Sequence, residues 1–226
     1  MYHKLNFSYN REFLLKEIFQ HEQEFVDIPA SAEYLKFRPF DIVDTALYEQ
    51  VTTVSMSGVI KKGSVPSWRG YSFTHIPNNS LSSYGSNSLR FKPEQWVWKD
   101  NSNCKYLKSL IEELGFIEIQ NIRAMVIEPT GFGPVHCDVP PNIDYYKNHT
   151  SVTFNLEDGG QPLIAKIQDN MYEFNDPCFI FQDNCWHGVG IVSSRRTQLR
   201  INGKVDSTIL KKYIDITGEQ HGNLDY

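Results

Sequence analysis

The stretch TSVTFNLEDGGQPLIAKIQDNMYEFNDPCFIFQ, residues 150–182, decides the fold class. It contains four short apolar runs rich in Val, Ile, Phe and Thr, and they are separated by Gly, Pro, Asn and Asp. Runs of about four to eight such residues between turn-forming residues are typical of β-strands. We therefore predict strands at about 150–156, 163–167, 170–174 and 178–182.

The same pattern continues on both sides of this stretch, from about residue 119 to residue 203. Together the runs give eight short strands, which is the number that a double-sheet jelly roll requires. The sequence therefore predicts a mainly β protein with flanking helices around a cupin-like core, a double-stranded β-helix. The four additional strands are predicted at about 119–128, 134–139, 186–192 and 196–203.

Helices are predicted outside this β region. Asn10, Ser102 and Ser207 each precede apolar residues at helical spacing and are suitable N-caps, and Gly115 stands where the second helix needs a left-handed residue to end. The length favours one domain. We expect a single domain, residues 1–226, made of a helical and loop support region at 1–118, the β core at 119–206 and a C-terminal helix and tail at 207–226.

Composition limits the function classes. The formal net charge is -5, with 22 Lys and Arg against 27 Asp and Glu, which argues against a nucleic-acid partner. No stretch approaches the ~18–20 apolar residues of a membrane span, and the first ten residues do not resemble a signal peptide. We therefore expect a cytoplasmic protein without a membrane partner. The four cysteines lack Cys-x-x-Cys spacing and are expected to be reduced thiols.

The segment GPVHCD, residues 133–138, offers two metal ligands. On a strand, His136 and Asp138 project to the same face because they are two residues apart. A third candidate ligand, His187, lies in the later segment WHGV. Two histidines and one carboxylate form the facial triad of non-haem Fe(II) sites, which leaves coordination positions open for a cosubstrate and dioxygen. Each residue taken singly also fits a structural role, as a hydrogen-bonded strand pair or a buried core histidine.

A candidate anchor for the cosubstrate follows nine residues after His187. The guanidinium of Arg196 can pair bidentately with a carboxylate, such as the distal carboxylate of 2-oxoglutarate. Arg200 lies on the same strand face and is an alternative anchor, and Gln198 lies between the two arginines. Arg195 is expected to point the other way, towards solvent.

Five further residues are candidates for the same site. Thr153 and Asn155 share a strand face and are candidates to bind the cosubstrate, although packing roles fit them equally well. Arg123 is a candidate to direct a charge towards the substrate, with a structural salt bridge as the alternative. Tyr145, in a loop after the first ligand motif, and Trp186, beside the last candidate ligand, are further candidate substrate contacts.

Three segments together resemble the Fe(II)/2-oxoglutarate-dependent oxygenase superfamily, and within it the aspartyl/asparaginyl β-hydroxylase and proline-hydroxylase-like branch. They are RAMVIEPTG at 123–131, FNDPCFIFQDNCWHGV at 174–189 and SSRRTQLR at 193–200. The resemblance covers about residues 123–206. It implies that His136, Asp138 and His187 bind Fe(II) and that Arg196 binds 2-oxoglutarate.

Two departures refine this resemblance. The aspartyl/asparaginyl β-hydroxylases lack the carboxylate ligand, so Asp138 places the chain nearer the proline-hydroxylase-like members or ordinary members of the superfamily. The Arg and His that those β-hydroxylases use on the strand after the ligand motif have no counterpart in residues 150–155. Hydroxylation of peptidyl Asp or Asn is therefore not supported.

The resemblance implies a dioxygenase that hydroxylates an unactivated C–H bond. The expected substrate is an amino acid, a small metabolite or a protein side chain, with a proline-like substrate among the candidates, and dioxygen is consumed. One alternative is a non-enzymatic jelly-roll protein that binds a small ligand or a carbohydrate. Another is a cupin-like enzyme that uses a different metal without 2-oxoglutarate.

Overall fold

The structure, a computed structural model, describes residues 2–28, 68–77, 93–99, 103–136, 149–167, 170–182, 185–214 and 220–221, with backbone only at 27–28, 93, 134–136 and 220–221. These residues form a mainly β fold, as predicted. The strands are β1 Tyr2–Lys4, β2 Val26–Ile28, β3 Trp68–Ser72, β4 Thr74–His75, β5 Val97–Trp98, β6 Phe116–Ile127, β7 Gly133–His136, β8 Thr150–Asp158, β9 Leu163–Ile167, β10 Asn170–Phe174, β11 Cys178–Phe181, β12 Trp186–Val189, β13 Arg196–Val205 and β14 Gln220–His221.

The chain of the β core passes back and forth between two sheets, except that the consecutive strands β9 and β10 lie in the same sheet. A major sheet has the order β14-β1-β11-β8-β13-β6-β3-β2, and a minor sheet has the order β10-β9-β12-β7. Strands β6, β8, β11 and β13 lie in the major sheet, whereas β7, β9, β10 and β12 lie in the minor sheet. This alternation is that of a cupin-like double-stranded β-helix, so the prediction of the fold class is confirmed.

The support region contributes more than helices and loops. Strands β1, β2 and β3 extend the major sheet at its two sides, β1 next to β11 and β3 next to β6. Strands β4 and β5 form a separate two-stranded sheet. These strands are two to five residues long and were not predicted from the sequence.

Helix α1, Arg11–Phe19, begins as predicted. The side chain of Asn10 accepts a hydrogen bond from the backbone N–H of Phe13 at 3.1 Å, which satisfies one of the free donors at the helix N-terminus. Leu14 and Ile18 are fully buried against the major sheet.

Two other predicted caps are wrong. Helix α2, Lys105–Glu113, begins after Cys104, and the carboxylate of Glu17 accepts hydrogen bonds at 2.8 Å from the backbone N–H groups of Tyr106 and Leu107. The carboxylate of Glu17, from α1, therefore caps the N-terminus of α2. The predicted cap, Ser102, lies outside the described residues. Helix α3, Ser207–Leu210, is capped by Asp206 instead of Ser207.

Two apolar cores lie on opposite faces of the major sheet. The first packs α1, α2 and α3 on the outer face and includes Leu107, Ile122, Phe154 and Leu199. The second lies between the two sheets. Its members are Tyr2, Ile127, Leu163, Ala165, Phe174, Phe179, Phe181, Val189 and Val192. The space facing this second core is called the inter-sheet space below.

Side chains alternate across the three central strands of the major sheet. Leu199 and Ile201 of β13 belong to the helix-side core. Successive strand residues point to opposite faces, so the even-numbered residues of this strand face the inter-sheet space. They are Arg196, Gln198, Arg200 and Asn202. By the same alternation, Arg123 of β6 and Ser151, Thr153 and Asn155 of β8 also face it.

No helix of the described residues is long and apolar enough to cross a membrane.

Gly203 marks a close approach between β13 and β6, where the register shifts between Ile201 and Gly203. A Cβ at this position would overlap the carbonyl oxygen of Glu118. We predict that Gly203→Ala lowers the free energy of unfolding by about 2–3 kcal/mol, because backbone atoms must move. Gly133→Ala is the matched control, since its Cβ would meet Val189 at an ordinary 3.4 Å. Denaturant unfolding measures both, and equal losses would contradict the prediction.

Candidate active site

His187 lies on the inter-sheet face of the minor sheet. In the register of β9 and β12 it is directly opposite Ala165, a member of the inter-sheet core. Directly opposite residues of antiparallel strands share a face, so the imidazole faces the same space, where it is 5% exposed. The side chain predicted as a ligand is thus buried between the two sheets.

A backbone hydrogen bond fixes the tautomer of His187. Its Nδ1 lies 2.9 Å from the carbonyl oxygen of Cys185. A carbonyl only accepts, so Nδ1 carries the proton and donates it. In the neutral ring Nε2 then presents its lone pair, which is the arrangement typical of a metal-binding histidine. The edge of Phe181 packs against the imidazole, with 5.1 Å between ring centroids and an interplanar angle of 81°.

The backbone of His136 lies next to this histidine. Strands β7 and β12 are antiparallel, and their register places His136 directly opposite His187. In antiparallel pairs the Cα atoms of opposite residues are about 4.5–5.5 Å apart. The two candidate histidines are thus neighbours across one strand pair.

Two predicted site residues, Asp138 and Tyr145, lie outside the described residues. Within the residues that are described, no group of three His, Cys, Asp or Glu side chains is placed to hold a metal ion. Neither Asp138 nor the side chain of His136 is among those described residues. The ligand set therefore stays a prediction.

Arg196 lies at the end of the inter-sheet space that is closed by the turn between β8 and β9. Its Nη1 donates to the backbone carbonyl of Asp158 at 2.6 Å and also to that of Gln161. The residue is 1% exposed, and its Nε and Nη2 have no hydrogen-bond partner among the described residues. Burial lowers the pKa of this guanidinium to about 10, and Asp158 opposes the shift.

The turn that holds Arg196 depends on two glycines. Gly159 and Gly160 have φ angles of 69° and 72°, a region that glycine adopts without strain. A Cβ on Gly159 would meet the Cβ of Arg196 at 2.8 Å. The arginine therefore packs directly against a turn that only glycine allows.

Arg200 points towards the other end of the space. Its Nη2 lies 3.5 Å from the carbonyl oxygen of Phe181, and its guanidinium carbon lies 5.9 Å from the centroid of the Phe181 ring. Because Phe181 also contacts His187, one aromatic ring separates Arg200 from the candidate ligand. Arg123 is directly opposite Arg200 in the register of β6 and β13, and the two are 9% and 5% exposed.

Neutral polar residues lie between the two ends of this face. Gln198 is opposite Asn155 in the register of β13 and β8, and Arg200 is opposite Thr153. Asn155 donates through Nδ2 to Asn175 at 3.1 Å. The Oδ1 of Asn155, the Nε2 of Gln198 and the Oγ of Ser151 are buried without a hydrogen-bond partner among the described residues. Buried polar groups are normally paired, so this cluster can receive a polar ligand.

Trp186 and Arg195 lie outside the inter-sheet space. Trp186 is opposite Lys166 and neighbours His187 on the strand, so its side chain lies on the outer face of the minor sheet. Trp186 thus does not face the inter-sheet space, and the substrate contact predicted for it stays a prediction. Arg195 is 40% exposed and donates through Nε to Glu128 at 3.2 Å, as part of an ion pair.

Two residues of the candidate site were not predicted from the sequence. The ring of Phe181 contacts both His187 and Arg200. Ser151 has a buried hydroxyl group and is directly opposite Asn202 in the register of β8 and β13. Both follow from strand alternation, because Phe179 and Phe181 face one side of β11 while Cys178 and Ile180 face the other. Only the strand pairing shows which side is the inter-sheet one.

No protein-family model matches the chain, and no curated protein matches it in sequence. Solved structures of oxygenases align with much of the chain at low identity. A prolyl-4-hydroxylase from Pseudomonas putida matches with 13% identity and a TM-score of 0.38, over 85% of this chain and 100% of its own. A 2OG-Fe(II) oxygenase family oxidoreductase from Burkholderia pseudomallei matches with 14% identity and a TM-score of 0.43, over 88% and 94%.

A third structure is a prolyl hydroxylase from Trichoplax adhaerens in complex with a hypoxia inducible factor peptide. It matches with 15% identity and a TM-score of 0.37, over 89% of this chain and 93% of its own. At these identities and TM-scores, the likeness transfers no substrate, cofactor or site residue to this chain.

The tautomer of His187 can be tested by NMR. We predict that long-range ¹H–¹⁵N spectra of the metal-free protein show Nδ1 protonated and Nε2 unprotonated, because the Cys185 carbonyl accepts from Nδ1. Addition of Zn(II) should then perturb Nε2 and leave the Nδ1 proton in place. His21 serves as an internal reference, since its Nδ1 lies 2.8 Å from Glu24 and its ring stacks on Tyr71 of the helix-side core. A protonated Nε2 on His187 would contradict the prediction.

Proposed function

We propose that this protein is an Fe(II)- and 2-oxoglutarate-dependent dioxygenase that hydroxylates an unactivated C–H bond of an amino acid, a small metabolite or a protein side chain. The observation that carries the proposal is the placement of His187. Its Nδ1 is hydrogen-bonded to a backbone carbonyl, it faces the inter-sheet space, and it is directly opposite the other candidate histidine, His136.

The residues fit the proposed groups. His136, Asp138 and His187 would hold the Fe(II), with Nε2 of His187 as the donor that its tautomer favours. The unpartnered Nε and Nη2 of Arg196 suit a carboxylate, since a guanidinium presents its donors as a planar fork. Bound together, Fe(II) and 2-oxoglutarate supply oxidative chemistry in which dioxygen hydroxylates a C–H bond while 2-oxoglutarate becomes succinate and carbon dioxide.

The chain itself would position the reactants. Held by the carbonyls of Asp158 and Gln161, Arg196 would bind the distal carboxylate at the closed end of the space. The polar side chains of Asn155 and Gln198 are within the same face and would hydrogen-bond the cosubstrate. Phe181 and Val189 line the wall beside His187 and would keep bulk water away from the reacting atoms.

Anaerobic addition of Fe(II) and 2-oxoglutarate tests the metal site. The purified chain should develop the weak visible charge-transfer band of the chelate. His187→Ala and Asp138→Ala should each weaken Fe(II) binding by more than about 100-fold, since loss of a residue that only orients a ligand already costs about 10–100-fold. His149→Ala is a matched control histidine, because its Nε2 pairs with Gln120 on another strand.

Two results would contradict the proposal. One is the absence of both the band and retained metal in the wild-type chain, which would favour a non-enzymatic jelly-roll protein that binds a small ligand. The other is a metal site that forms normally without any response to 2-oxoglutarate, which would favour a cupin-like enzyme with different chemistry.

The role of Arg196 has its own test. Arg196→Gln should weaken 2-oxoglutarate binding about 10- to 100-fold, because a hydrogen bond to a charged group contributes ~1.5–3 kcal/mol. Arg196→Lys should recover part of the affinity through its charge but lose the fork. The half-exposed Arg195 provides the neighbouring control, Arg195→Gln. Titration of the charge-transfer band measures all three, and equal affinities for Arg196→Gln and Arg195→Gln would reject Arg196 as the anchor.

A further inference from the structure

The inter-sheet face of the major sheet carries two separate positive centres. Arg196 lies at the turn between β8 and β9, whereas Arg123 and Arg200 lie side by side on neighbouring strands. Arg196 and Arg200 are four residues apart on one strand, so their Cα atoms are about 13 Å apart. Their guanidinium groups diverge further, because one contacts the carbonyls of Asp158 and Gln161 and the other lies near the carbonyl of Phe181.

One cosubstrate molecule is too short to engage both centres. The four carbon–carbon bonds of 2-oxoglutarate, of about 1.5 Å each, span at most about 6 Å between its terminal carbons. If Arg196 holds its distal carboxylate, the pair Arg123 and Arg200 faces a different part of the space. That part adjoins His187, because Phe181 contacts both His187 and Arg200.

The row that contains this pair combines two guanidinium groups with a hydroxyl group. Across β6, β13 and β8 it reads Arg123, Arg200 and Thr153, with all three at most 9% exposed. The acidic residues of the same strands, Glu118, Glu157 and Asp158, lie towards the strand ends. An anion between two guanidinium groups is stabilised by both, and the planar fork of arginine matches a carboxylate.

We propose that Arg123 and Arg200 form a second anion subsite, beside the candidate metal ligand His187, which binds a carboxylate of the primary substrate. The substrate class is then a small carboxylic acid, such as a free amino acid, instead of a side chain within a protein. This inference rests on the proposed function for the identity of the oxidised molecule. The anion subsite itself is defined by the described side chains.

Binding is tested by comparing acids with their neutral amides. The full chain, loaded with Zn(II) and 2-oxoglutarate so that no turnover occurs, is titrated with each standard L-amino acid and with the primary amide of its α-carboxylate. Saturation-transfer NMR reports binding, and the series is repeated without metal and cosubstrate. At least one free acid should bind ten times more tightly than its amide. If no acid exceeds its amide, the proposal is overturned.

Variants locate the subsite. Arg200→Gln and Arg123→Gln should each remove at least tenfold of the preference for the acid, while Arg200→Lys should retain part of it through its charge. Lys204→Gln is the control on the same strand, because Lys204 is 48% exposed and pairs with Glu118. Circular dichroism identifies folded variants. If Arg200→Gln does not fold, the acid preferences of Arg200→Lys and Arg123→Gln test the subsite. An unchanged preference in folded variants would overturn the proposal.

The cosubstrate band separates the two proposals. With Fe(II) in place of Zn(II), Arg200→Gln should bind 2-oxoglutarate within about twofold of the wild type. If it instead loses the band and keeps the preference for the acid, Arg200 anchors the cosubstrate and the proposed subsite is wrong. If the wild type never forms the band, the dioxygenase proposal fails, and the comparison of acid with amide in the metal-free protein still decides the anion subsite.

Discussion

The hydrogen-bonded ladder of β6, β13 and β8 is the constraint on which the rest of the structure depends. These are the longest described strands, and each carries apolar residues on the helix side. On the inter-sheet side β8 and β13 carry mainly polar residues, whereas β6 carries Arg123 beside the apolar Ile127. The helix-side core provides the hydrophobic burial that keeps the sheet intact. The opposite face carries arginine, asparagine and glutamine, several of whose buried polar atoms have no hydrogen-bond partner among the described residues and suit a polar ligand.

The minor sheet completes the arrangement with a different chemistry. It brings Leu163, Ala165 and Val189 against the aromatic residues of the major sheet, and it places His187 among them. A ring such as Phe181 therefore borders both the apolar wall and the basic row. An apolar wall and a basic row thus meet beside His187, an arrangement typical of sites that exclude water and still orient a charged molecule.

Much of the β core could be predicted from sequence because each strand is a short apolar run between turn residues, as in residues 150–182. The capping of α1 by Asn10 was equally local. The cap of α2 could not be predicted, because Glu17 comes from another helix that is distant in sequence. Strand β1 is three residues long and has no periodicity of its own, so only its pairing with β11 defines it.

The candidate site shows the same division between local and tertiary information. Spacing alone placed Arg196 and Arg200 on one face, but it could not tell which end of the space each would reach, since that depends on the turn at Asp158 and on β11. The face on which Trp186 lies could not be predicted for a related reason, because it follows from the pairing of β12 with β9.

The acceptor that orients His187 is a main-chain carbonyl, and this has an evolutionary consequence. No substitution at residue 185 can delete that oxygen, so the protonation form of the imidazole is inherited with the backbone and not with a particular neighbouring side chain. Residue 185 can therefore change in side chain while, as long as the local backbone is kept, the ring offers the same nitrogen.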